Sequence, residues 1–122
     1  MTTNSIVYGL FGIGAIAYGI ATLLVPGMIL PEAGQSVHFA HILREQGAEA
    51  IFIGLVAFWC IVSDERRPLH YCLMIFAFLL AAIHWFDYFA GHLRWMSALY
   101  TSIPFVVLLV LAVRGRRGRG FA

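Results

Sequence analysis

The sequence predicts an all-α polytopic membrane protein, an antiparallel bundle of four transmembrane helices with both termini cytoplasmic. Three observations carry this prediction. Of the 122 residues, 61% are hydrophobic and only 11% charged, the balance of a bilayer protein and not of a soluble domain. Four runs of mostly apolar residues are each long enough, at about 1.5 Å per residue, to cross a hydrocarbon layer about 30 Å thick. The basic residues are eight arginines without a lysine, spread unevenly over the two sides that four crossings define.

The first span covers residues 6–25 and is closed by Pro26-Gly27. Nothing basic precedes it, so it is expected to be retained and not cleaved as a signal peptide. Gly12, Ala15 and Gly19 recur at i, i+3 and i+7, a face on which a second helix can approach closely. Residues 26–37, with Pro31-Glu32-Ala33-Gly34-Gln35-Ser36, are too short and aperiodic for another span. A turn or short interfacial helix is expected there.

The second span, residues 41–62, opens on charge: His41, Arg44, Glu45, Gln46 and Glu49 stand where an apolar run is starting. At about 100° per residue, His38, His41, Glu45 and Glu49 fall within a sector of about 80°. Gly47, Ala50, Gly54 and Ala57 lie nearly opposite. The polar stripe is expected to face the bundle interior, and the small-residue stripe to pack on a neighbouring helix or a second copy. Arg44 lies off the stripe, near enough to the interface to snorkel.

The third span, residues 69–90, carries His84, Asp87, Tyr88 and Gly91 at i, i+3, i+4 and i+7. Trp85, Phe86 and Phe89 lie between them and, with Trp95 and Tyr100, form an interfacial aromatic belt. In the fourth span, residues 95–113, Pro104 has no N–H to donate, which releases the carbonyl of Tyr100. A basic tail occupies residues 114–122. His38, His70 and His92 sit near helix ends, where solvated surface histidine is expected.

Arginine sets the orientation. Arg66 and Arg67 lie between the second and third spans and four more arginines in the tail, against Arg44 and Arg94 on the other side, six against two. Both termini are therefore placed in the cytoplasm and the protein in the cell inner membrane. Cys60 and Cys72 then lie near the reducing face, which argues against a disulfide.

With that topology, Tyr18 and Thr22, Glu45 and Glu49, His84 and Asp87, and residues 100–102 all fall in the outer halves of their helices. The expectation is a polar pocket in the outer half of the bilayer, with His41, Arg44, Glu45, Glu49, His84, Asp87, Tyr88 and Tyr100 as ligand-binding candidates. Three carboxylates against one arginine lead us to expect at least one acid to be protonated or paired with His84. Intramembrane ionisable groups mark ligand or proton sites, but the same groups also serve as a structural network that fixes helix register.

Specific chemistries find less support. His41, Glu45, Glu49, His84 and Asp87 lack the paired Glu-x-x-His pattern of four-helix di-metal proteins, so no metal site is predicted. A haem held between His41 and His84 is no better supported, and the cofactor, if there is one, stays unassigned. No nucleophile stands beside a base at a recognisable spacing, and no phosphate loop or inverted repeat is found.

The stretch Arg44-Glu-Gln-Gly47-Ala-Glu-Ala-Ile-Phe-Ile-Gly54-Leu, a glycine-containing second helix with a charged start, is followed by a third helix of matching length. It resembles the small four-span bacterial membrane proteins of the DoxX-like type, over about the central half of the chain. That group is mostly uncharacterised, with some members associated with quinone-linked sulfur oxidation. The resemblance implies architecture more than activity, and no catalytic residue is carried over from it.

The leading expectation is a binding or accessory protein that holds a lipid, a quinone or a partner helix. An alternative is a small membrane enzyme doing acid–base or redox chemistry on a hydrophobic substrate, with Glu45, Glu49, His84 and Asp87 as catalytic candidates. An oligomeric proton-coupled carrier is a third. The expected partners are the lipid bilayer, a hydrophobic small molecule, and a second copy or another membrane subunit. Nucleic acid is not among them.

Overall fold

The computed structural model describes residues 3–63 and 66–117. Four of its helices are long and apolar enough to cross a membrane, as the composition predicts. The order is α1 (Thr3–Leu24), α2 (Pro26–Ile29), a 3-10 turn (Pro31–Gly34), α3 (Val37–Val62), α4 (Arg66–Phe89) and α5 (Trp95–Arg117). The chain divides into two compact units, Met1–Val62 and Ser63–Ala122.

In the first unit α1 packs on α3 along a seam of glycines. Gly12 meets Gly54 and Gly19 meets Gly47, so the contact order along one helix reverses along the other. The approach is backbone to backbone. A Cβ added at Gly19 would lie 2.5 Å from the Gly47 carbonyl oxygen, and one at Gly54 would lie 2.9 Å from that of Gly12. Only glycine fits, and close van der Waals contact is what holds helices together where lipid tails cancel the hydrophobic drive. Gly12 and Gly19 are seven residues apart, as are Gly47 and Gly54, so the two helices stay in step over two turns.

Short elements connect the pair. Pro26 opens α2, where its missing N–H costs nothing, and Leu30 is extended before the 3-10 turn. The expected turn or short helix is thus both, in sequence. Ser36 then caps α3: its hydroxyl accepts from the Phe39 N–H at 3.5 Å and its carbonyl from the Ala40 N–H at 3.0 Å. The cap starts α3 at Val37, four residues before the predicted span, and brings His38 onto the helix with His41.

In the second unit α4 packs on α5. Pro68 belongs to the first turn of α4 instead of ending the preceding loop, because a first-turn residue has no intrahelical partner for its N–H. At the other end Gly91 adopts φ 80°. The His92 N–H bonds to the Asp87 carbonyl at 2.9 Å and the Gly91 N–H to that of Tyr88 at 3.0 Å, a Schellman closure that needs a left-handed residue. Helix α5 continues through Pro104 and past the predicted end at 113 as far as Arg117. Asp64, Glu65 and the end of the basic tail, residues 118–122, lie outside the described residues.

Candidate functional site

The glycine seam decides which way α3 presents its charges. Ala40, Leu43, Gly47, Gly54 and Ala57 are buried on the side toward α1, so the stripe of His38, His41, Glu45 and Glu49, nearly opposite, is left exposed. His41 Nε2 lies 3.3 Å from Glu45 Oε1 across one helical turn, with both side chains about two-thirds exposed. Among the described residues Glu49 and Arg44 have no ion pair or hydrogen bond, and both are exposed.

The register also sets depth. Gly47 lies level with Gly19, which is five residues, or about 7.5 Å, short of the end of α1 at Leu24. Counting along α3, His41 stands near the level of that end, Glu45 about 4.5 Å inside it and Glu49 about 10 Å inside it. Where the end of α1 marks the hydrocarbon boundary of a layer about 30 Å thick, Glu49 lies about 5 Å short of the midplane.

Other polar groups of the expected pocket are satisfied by their own helices. The Thr22 hydroxyl is buried against Gly47 and donates to the carbonyls of Tyr18 (3.1 Å) and Gly19 (2.9 Å). Thr101 bonds the carbonyls of Ser97 and Ala98, and Ser102 donates to that of Ala98 at 2.7 Å. Both hydroxyls therefore reach back past the Tyr100 carbonyl that Pro104 releases. Tyr18 and Tyr100 are exposed.

In the second unit Trp85 organises the C-terminal end of α4. Its indole N–H donates to Ser102 Oγ at 2.9 Å, its ring meets Tyr88 edge-on with centroids 5.7 Å apart, and it lies against Phe89. His84 Nδ1 is 2.9 Å from the Leu80 carbonyl. A carbonyl only accepts, so Nδ1 carries a proton and donates this bond. Asp87, half-exposed one turn further on, has no ion pair or side-chain hydrogen bond among the described residues. The partner that His84 engages is thus its own helix backbone and not a carboxylate.

One histidine departs from expectation. His70 is not a solvated end-of-helix residue: it is 1% exposed, and its Nε2 donates to the Leu108 carbonyl of α5 at 3.0 Å. The signal for this was its register. His70, Leu73, Ala77 and Ala81 recur at i, i+3, i+7 and i+11 and together form the buried edge of α4. Its position near the span boundary outweighed that periodicity in the sequence.

No group of three or more His, Cys, Asp or Glu side chains among the described residues is arranged to hold a metal ion. Cys60 is buried and Cys72 exposed, and neither is in a disulfide. No protein-family model, curated protein or solved structure matches the chain.

Proposed function

We propose that the protein is a small integral membrane binding or accessory protein, its four spans forming an antiparallel bundle in the bacterial inner membrane with both termini cytoplasmic. Its working surface is the polar stripe of α3, which receives a polar group of a hydrophobic ligand (a lipid or quinone) or of a partner helix. The observation that carries this reading is the division of labour on α3. The small-residue side is committed to α1 by backbone contact, while on the opposite side Glu45 has only His41 as an ion-pair partner among the described residues and Glu49 has none. An intramembrane carboxylate in lipid costs about 2.5–3.5 kcal/mol, and such groups are kept where they engage something. The arginine asymmetry supports the orientation. His84 and Asp87, with Tyr88 beside them, form a second polar group, on α4.

Native mass spectrometry of the protein released from a gentle detergent, with an optical spectrum of the same sample, tests this. A lipid, quinone or polypeptide bound in fixed ratio, and lost in Glu45→Gln and Glu49→Gln, is the expected result. A bare protein whose stability and mass are indifferent to both substitutions would refute the reading. A chromophore that disappears in His84→Ala would instead point to redox chemistry.

A further inference from the structure

We infer that the end of the second unit where α4 begins and α5 finishes binds the phosphate of an acidic phospholipid between arginines of the two helices. This site is separate from the stripe of α3 and does not rest on the role proposed for that stripe.

Packing inside the unit brings the arginines to one level. His70, Phe78 and Trp85 of α4 meet Leu108, Phe105 and Ser102 of α5, so the contact order along one helix reverses along the other. The first turn of α4 therefore lies at the same end as the last turns of α5, and the bond from His70 to the Leu108 carbonyl fixes the register there. At about 1.5 Å per residue, Arg67 and Arg66 stand about 4.5–6 Å beyond that bond along α4. Arg114, Arg116 and Arg117 stand about 9–14 Å beyond it along α5. The set falls in a band about 9 Å thick, close to one Debye length at physiological salt, so its charges act on an anion together. Arg66 and Arg67 precede His70 by four and three residues, which places them on either side of the buried edge that His70 begins. On α5 the buried line of Leu108 and Leu111 reaches Gly115 next, a position that brings no side chain to the seam between Arg114 and Arg116.

Depth and charge select the ligand. The apolar stretches of the two helices run from Arg67 to Phe89 and from Trp95 to Gly115, so the arginines gather where the apolar lengths end, at the level of lipid phosphates. Arg67 and Arg114 are exposed and have no ion pair or hydrogen bond among the described residues. Six arginines, counting Arg119, stand against two acids, Asp64 and Glu65, which leaves four positive charges unmatched at this end. Each guanidinium can take two phosphate oxygens at once. Orientation asks only for basic residues on one side of the membrane. Two chain segments converging on one level around a helix seam make a head-group site as well.

The test uses the full chain in phosphatidylcholine vesicles holding a trace of spin-labelled phosphatidylglycerol or of spin-labelled phosphatidylcholine with the same chains. The motionally restricted fraction of the electron paramagnetic resonance spectrum gives their relative affinity for the protein. One arginine at an anionic surface is worth about fivefold, so phosphatidylglycerol should be preferred by about 5-fold or more at low salt. That preference should shrink in about 0.5 M sodium chloride. Arg66→Gln with Arg67→Gln, and Arg114→Gln with Arg116→Gln, should each lower it by about 2-fold or more, whereas Arg94→Gln should leave it unchanged. The comparison of the two lipids on the unaltered protein does not depend on any variant folding, and equal affinity for both would overturn the inference. A preference that survives either pair of arginine substitutions, or falls equally in Arg94→Gln, would also overturn it, since the two helices would then not share one site. Displacement of the lipid by inorganic phosphate beyond the effect of chloride at equal ionic strength would make free phosphate the ligand instead. A preference lost in Glu45→Gln with Glu49→Gln, and kept in the arginine variants, would remove this site while supporting the role proposed for α3.

Discussion

Replacing Gly47 by alanine isolates the contact on which the first unit depends. The new Cβ would fall on the Thr22 hydroxyl and 2.8 Å from the Gly19 carbonyl oxygen. Neither neighbour yields easily: the hydroxyl is tied to the carbonyls of Tyr18 and Gly19, and the carbonyl moves only with its helix. Restoring an ordinary contact of about 3.4 Å therefore separates α1 from α3 by about half an ångström at this level, and overpacking of this kind costs about 1–3 kcal/mol. Alanine also favours the helix over glycine by up to about 1 kcal/mol, which works in the opposite direction. Gly14 supplies the reference, since a Cβ there meets nothing within 4 Å. Gly14→Ala should be neutral or stabilising by up to about 1 kcal/mol. The propensity gain cancels in the difference, leaving Gly47→Ala less stable than Gly14→Ala by about 1–3 kcal/mol. Unfolding in mixed micelles by titration with sodium dodecyl sulfate, followed by far-ultraviolet circular dichroism and tryptophan emission, measures that difference. A Gly47→Ala protein as stable as Gly14→Ala would show that α1 and α3 do not meet through this seam.

Three further outcomes are expected. His70→Leu removes the hydrogen bond from α4 to the Leu108 carbonyl and should destabilise the second unit by about 0.5–1.5 kcal/mol in the same titration; His92→Leu, at an exposed site, should not. Trp85→Phe and Ser102→Ala each delete one end of the same 2.9 Å bond, so a double-mutant cycle should return a coupling of about 0.5–1.5 kcal/mol, and additive losses would mean that the bond is not made. For the orientation, a cysteine introduced at His92 in a Cys60→Ala, Cys72→Ala background should react with a membrane-impermeant maleimide from outside intact cells. One at Arg114 should react only after permeabilisation; the reverse pattern would invert the topology.

Much of the fold was legible because bilayer physics leaves a chain few choices. Backbone polar groups in hydrocarbon must be bonded within their own segment, so an apolar run of about 20 residues becomes a helix whatever its neighbours are. Residues 6–25 against Thr3–Leu24, and 95–113 against Trp95–Arg117, differ only at ends set by local chemistry. The ends were harder because they turn on single atoms: the Ser36 hydroxyl that starts α3 early, or the first-turn tolerance that takes Pro68 into α4. The candidate site was legible as a list of residue types and faces, and the two opposed stripes of α3 follow from helical periodicity alone.

Which stripe is covered was a different kind of question. Glycines at i and i+7 on two helices announce that each can be approached closely, but nothing local says that Gly12 takes Gly54 and Gly19 takes Gly47. That pairing is a property of two surfaces fitting, and it alone turned Glu45 and Glu49 away from α1, buried Thr22 and set the level of each carboxylate along α1. His70 shows the same division: its residue type and position near a span boundary are written in the sequence, whereas its burial and its bond to Leu108 exist only once α5 is packed on α4. Legible in the residues alone were four helices long and apolar enough to cross a membrane, their ends to within a few residues and the faces each carries, because those depend on hydrophobicity and the 3.6-residue turn. Which faces of α1 and α3 meet was settled only by packing, because contact between helices depends on shape at sub-ångström scale, and no single segment encodes it.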